Sequence, residues 1–194
     1  MRAVLVPGVL ALLPEYAGLE DPVAELRAAC LDAVGWLGAD VTVLAGPQGR
    51  KVAESLLGSR QARPTAESLL GSRQARPTAE SLLGSRQARP TEVEARPTRV
   101  DGASYLVVGN GSARRRDTSP GYVDERAIPF DADLGTRLRT GELSGIDASL
   151  ARELWADTEA IARLDGVLPP GCACTVNYED DPYGVQYWVV RWEW

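Results

Sequence analysis

Three short apolar runs, separated by stretches of helical period, constrain this chain more than any other feature. Arg2 to Val6 reads as a buried strand and Val41 to Leu44 as a second. Tyr105-Leu106-Val107-Val108 is a third, apolar almost throughout, which places it inside a sheet. Between the first two runs, Asp21-Pro22 offers an N-cap followed by proline at the first helical position. Val23, Leu26, Cys30, Val34 and Leu37 then recur at helical spacing, and Gly38 would close that helix. Gln48 to Leu57 reads as a second helix.

Further along, Asp131 to Thr140 predicts a helix with a polar face. Asp147 would cap another, with Leu150, Leu154, Trp155, Ile161 and Leu164 on its buried side. Ala173 to Tyr178 and Val185 to Trp194 read as antiparallel strands joined around Asp180-Asp181-Pro182-Tyr183-Gly184. In the last strand Trp188, Val190, Trp192 and Trp194 share one face, a row suited to a core or a dimer interface more than to a ligand platform. Strand–helix alternation followed by a hairpin predicts an α/β fold, a mixed central sheet flanked by helices. One domain is expected over residues 1–194, with a tandem repeat inserted at 53–91.

That repeat is AESLLGSRQARPT. It occupies Ala53 to Thr65 and recurs without change at Ala66 to Thr78 and Ala79 to Thr91. Structural repeats keep the residues that packing needs and drift elsewhere, so identity at every position points to recent duplication. One copy is expected to extend a native helix and the others to be tolerated insertion. The contrasting reading is a helical arm that binds a partner.

Composition removes several function classes. Lys and Arg number 21 against 27 Asp and Glu, a formal charge of −6, which argues against a broad grip on nucleic acid or an anionic membrane. Only Lys51 among the basic residues is not arginine, a pattern of coding bias rather than of phosphate binding. No apolar run approaches the ~18 residues of a membrane span, and the N-terminus reads as a first strand, not a signal peptide. The chain has no histidine, so Ser-His-Asp and Cys-His catalysis and every imidazole-ligated metal site are absent. Cys30, Cys172 and Cys174 make no secretory framework and read as reduced, cytoplasmic thiols. A Cys172/Cys174 metal clip lacks a second ligand pair.

In open α/β sheets the ligand crevice lies at the carboxyl ends of the strands. Two segments fall there: Val6-Pro7-Gly8-Val9-Leu10 after the first strand, and Gly109-Asn110-Gly111-Ser112-Ala113 after the third. The second leads into Arg114-Arg115-Arg116. It reads either as a site for an anionic or small polar ligand, built from backbone N–H groups and arginine, or as a glycine turn with a solvated charge run. Gly46-Pro47-Gln48-Gly49-Arg50-Lys51 lacks the spacing of a phosphate loop.

The same residues carry a resemblance. Gly109 to Ala113, then Ser119-Pro120-Gly121-Tyr122 and Phe130-Asp131, resemble the G-D-x-S-H, S-P-G-Y and F-D signature of class III extradiol dioxygenases. Val6-Pro7-Gly8-Val9-Leu10-Ala11-Leu12-Leu13-Pro14-Glu15 is similar to a family opening of the form V-P-H-P-P-L-L-V-P-E. Pro182-Tyr183-Gly184-Val185-Gln186-Tyr187 is similar to a P-Y-G-V-x-Y strand of small actinobacterial members. Residues 46–100 carry no such likeness. The resemblance implies an extradiol-like α/β fold, paired subunits and a non-haem iron centre. At the position of the family's first iron-ligating histidine this chain has Gly8, and at that of its acid/base histidine it has Ala113. Two histidines and a carboxylate hold iron with positions open for oxygen. A set of carboxylates drawn from Asp117, Asp124, Asp131 and Glu179 would instead suit Mg or Ca.

The expectation is therefore a metal-free, non-catalytic relative, with no catalytic residue, metal ligand or cofactor assigned. A homodimer, without nucleic-acid or membrane partners, would bind a small organic or anionic ligand. Pro7, Gly8, Asn110, Ser112, Ala113, Arg114, Tyr122 and Asp124 frame the expected pocket, where replacing imidazoles by Gly and Ala would open volume. The alternative is an enzyme in the same crevice. That is either a metal-dependent ring-cleavage dioxygenase or a metal-free hydrolase or transferase with Ser112 as nucleophile, Asp124 or Glu125 as base and Arg114 to Arg116 as charge stabilisers.

Overall fold

The computed structural model describes residues 1–16, 21–61 and 103–194. The second and third repeat copies lie outside the described residues, as does the end of the first.

Strand β1 is Arg2–Val6, helix α1 Ala24–Gly35, β2 Val41–Leu44 and α2 Pro47–Gln61. Next come β3 Ser104–Val108, α3 Ala127–Thr140, α4 Ala148–Glu153 and α5 Glu159–Ala162. The chain ends in the hairpin β4 Ala173–Asp180 and β5 Tyr187–Glu193. One five-stranded sheet has the order β2-β3-β1-β5-β4. β1 pairs parallel with β3, and β3 with β2, while β5 runs antiparallel to both β1 and β4. The sheet is mixed and flanked by helices, as the alternation predicted.

Two cores lie on opposite sheet faces because side chains alternate along each strand. Leu5, Tyr105, Val107, Trp188, Val190 and Trp192 pack with residues of α3, α4 and α5. Val4, Val6, Leu106, Val108, Tyr187 and Val189 pack with residues of α1 and α2. Trp188 and Trp192 are 1% and 0% exposed, so these two belong to the core and offer nothing to a dimer interface. The Trp192 indole N–H donates to the Leu138 carbonyl at 2.8 Å, which fixes α3 on the sheet. Val52, Ala53 and Leu56 are buried in α2, so the first repeat copy does supply the end of a native helix.

Several boundaries differ from expectation for identifiable reasons. α1 starts at Ala24, because Asp21 Oδ1 takes the Val23 N–H and its other oxygen takes Arg27 Nε, closing a turn before the helix. Gly38 does not end it; the helix stops at Gly35, and the Gly38 N–H goes to Ser104 Oγ at 3.0 Å. Asp147 caps α4 as predicted, accepting the Ser149 and Leu150 N–H groups at 2.9 Å. The expected single helix after it is two. Trp155, expected on a buried face, is instead 54% exposed at φ 58°, the left-handed region. An antiparallel bridge between Asn110 and Asp157 breaks the helix there. Its two backbone bonds are each 3.0 Å. No helix among the described residues is long and apolar enough to cross a membrane.

Candidate functional site

The parallel pairing of β1, β3 and β2 brings Pro7-Gly8, Asn110 and the start of α2 to one end of the sheet. A Cβ on Gly8 would stand 3.3 Å from Val108 Cγ1, 3.8 Å from Gly49 Cα and 3.9 Å from Asn110 Oδ1. Gln48 Nε2 donates to the Gly8 carbonyl at 2.9 Å. Gly8 and Asn110 therefore meet as the sequence suggested, but Val108 stands close enough to Gly8 that even a Cβ there would be a tight contact. Ala113 is 7% exposed and packs into the core on the α1/α2 side.

The loop after β3 is built from internal pairings. Ser112 is wholly buried; its hydroxyl donates to the Leu154 carbonyl at 3.1 Å and accepts the Arg114 N–H at 3.0 Å. The Ser112 N–H donates to Asp131 Oδ1 at 2.8 Å. A nucleophilic serine needs a base on its hydroxyl; the hydrogen bond of this one is donated to a backbone carbonyl. Asp131 is 2% exposed and also takes Arg115 Nη1 at 2.7 Å, while Arg115 Nε donates to Asp181 Oδ2 at 2.8 Å. Burial raises the Asp131 carboxyl despite these donors, and burial also opposes the charge on Arg115, yet its two carboxylates carry the guanidinium above its usual range. Arg116 bonds the same Asp181, and Ser119 Oγ reaches the Gly184 carbonyl at 2.8 Å. Arg115 and Arg116 thus pin the loop to the β4–β5 hairpin.

Arg114 lies over the Trp155 ring at 5.3 Å, with Asp124 Oδ2 at 4.0 Å. Asp124 is held mainly by Arg126, at 2.8 Å, which lowers its carboxyl to about 2. Tyr122 is 90% exposed. The eight expected pocket residues consequently fall into three places: Pro7, Gly8 and Asn110 at the strand ends, Ser112, Ala113, Arg114 and Asp124 in the loop network, and Tyr122 in solvent.

The site does not fit an iron ion. The chain supplies no imidazole. Asp124, Asp131 and Glu179 are each engaged by arginine, and no group of three or more Cys, Asp or Glu suited to a metal occurs among the described residues.

Sequence reasoning missed two grooves on the α3–α5 side. One, about 420 Å³, is floored by Phe130, Leu134, Ile146 and Leu150. The other, about 390 Å³, runs along α4 and α5 and is lined by Ala148, Ala151, Arg152, Ala156 and Asp157 among others. None of the eight residues lines either groove. The helix break that forms the second is made by the Asn110 bridge, a long-range contact with no signal in local periodicity. No protein-family profile, curated protein or solved structure matches this chain.

Proposed function

We propose that this protein is a non-catalytic, metal-free relative of the class III extradiol dioxygenases that binds a small organic or anionic molecule in a regulatory or carrier role. The observation that carries this reading is the fate of the polar groups around the strand ends. The positions where the family keeps histidines hold Gly8, where even a Cβ would stand 3.3 Å from Val108 Cγ1, and the buried Ala113. Of the neighbouring carboxylates, Asp131 is paired with Arg115 and Asp124 with Arg126. An oxygen-activating iron needs donors that are free to bind it and leave positions open; these are committed to folding. The resemblance of Gly109 to Ala113 and Ser119 to Tyr122 to the family signature supports the ancestry. Three free cysteines support a reducing, cytoplasmic setting. Pairing of two copies belongs to the same proposal and would use a surface other than the buried Trp188 and Trp192.

The test is anaerobic loading with Fe(II), desalting and metal analysis, followed by oxygen uptake with a catechol. The proposal expects substoichiometric iron and no ring cleavage. One iron per chain with extradiol turnover would overturn it.

A further inference from the structure

Two side chains of opposite charge line the α4–α5 groove. Asp157 and Arg152 both line it, no ion pair joins them, and neither side chain has a hydrogen-bond or ion-pair partner among the described residues. Glu159, on the same rim, is already answered by Arg163 at 2.7 Å. The rest of the wall is Ile146, Thr158 and four alanines, small and mostly apolar. The backbone around Asp157 is held firmly: its N–H and carbonyl bond Asn110, and the Ala156 N–H reaches the Ala151 carbonyl at 2.8 Å. Two residues earlier, Trp155 sits at φ 58°, a conformation that persists only where surroundings impose it. A strained, fixed segment thus presents a carboxylate to a groove without giving it a partner.

We propose that this groove binds a free α-amino acid with an apolar side chain, its ammonium on the Asp157 carboxylate and its carboxylate on the Arg152 guanidinium. Two opposite charges, separated and unpaired on one small cavity, complement a zwitterion. A simple amine or a simple acid would leave one of them unanswered. The alanine and isoleucine wall suits an aliphatic side chain, and about 390 Å³ accommodates one such molecule. Burial raises the Asp157 carboxyl, a cost that an ammonium partner would reverse. The inference stands apart from the ancestry proposed above, since it uses neither Gly8 nor the loop network.

Calorimetric titration of the full chain with L-leucine tests it, with L-leucinol (no carboxylate) and N-acetyl-L-leucine (no ammonium) as matched probes. Saturable L-leucine binding is expected, with each probe weaker by about tenfold or more, a loss of ~1.4 kcal/mol. Asp157→Asn and Arg152→Ala should each weaken L-leucine by a similar factor. Arg152 is exposed, so its variant decides the matter even if Asp157→Asn fails to fold. No saturation at about 10 mM L-leucine, well past a millimolar Kd, would overturn the proposal. Equal affinity for L-leucinol, or an unchanged curve in Arg152→Ala, would also overturn it.

Discussion

Two polar regions flank Asn110, and they treat charge in opposite ways. Around the loop from Ser112 to Arg126, its Arg115 and Arg116 form a chain of contacts with Asp131 of α3 and Asp181 of the hairpin, and Asp124 is clasped by Arg126. In the α4–α5 groove, Asp157 and Arg152 stand apart. The first region carries the sequence motifs and the conspicuous arginine run, yet Arg115 and Arg116 are engaged in holding loop to hairpin. The second has no motif, and its Asp157 and Arg152 side chains have no hydrogen-bond or ion-pair partner among the described residues. A charge run in sequence says that charges are near each other; only the fold says whether they are already answered.

The largest effect should come from the buried end of the loop network. Asp131→Ala strips partners from Arg115 and from the Ser112 N–H, and breaking a buried pair in this way costs about 3–5 kcal/mol. Chemical denaturation should show it as an earlier midpoint; a loss under about 1 kcal/mol, the range of exposed pairs, would mean that the loop does not depend on its pairings. Ser112→Ala should cost less, about 1–3 kcal/mol, because the Arg114 N–H loses its acceptor. The same variant separates structure from chemistry: if it folds with unchanged stability but loses a hydrolytic activity, the serine has a catalytic part.

Acid sharpens the comparison. Asp124 titrates at about 2 when folded, against 3.8 for an unperturbed carboxyl, because Arg126 favours its charged form. Its contribution to stability is therefore full above pH ~4 and is lost as pH falls towards 2. Carboxyl chemical shifts should follow that low midpoint, and Asp124→Asn should flatten the acid limb of the stability profile. An ordinary midpoint near 3.8 would mean that the clasp is absent in solution.

Removing the second and third repeat copies, Ala66 to Thr91, should matter least. The residues of α2 that reach the core are Val52, Ala53 and Leu56, all kept by this deletion. A melting temperature within a few degrees of the parent is expected, and collapse of folding would show that the repeats bear on the core.

Much of the fold was legible because it rests on local signals. β1 and β2 lie where apolar runs placed them, Asp147 caps α4, and the alternation in β5 sends Trp188 and Trp192 to one face. Tyr187 and Val189 on the other face are buried too, since β5 is an inner strand covered on both sides. What periodicity missed came from distant partners: Ser104 taking the Gly38 N–H, and Asn110 drawing Asp157 out of a helix. The site was half legible. Their places after the first and third strands put Gly8 beside Asn110, but nothing in Arg114-Arg115-Arg116 tells that Asp131 and Asp181 lie opposite, and Tyr122 is 90% exposed.

The contrast between answered and unanswered charge is tested most directly by matched truncations, Arg115→Ala and Arg152→Ala, unfolded side by side in urea. The account predicts a loss of about 3 kcal/mol or more at Arg115, from a broken buried pair, and a change within about 0.5 kcal/mol at Arg152. Equal losses at the two positions would contradict it.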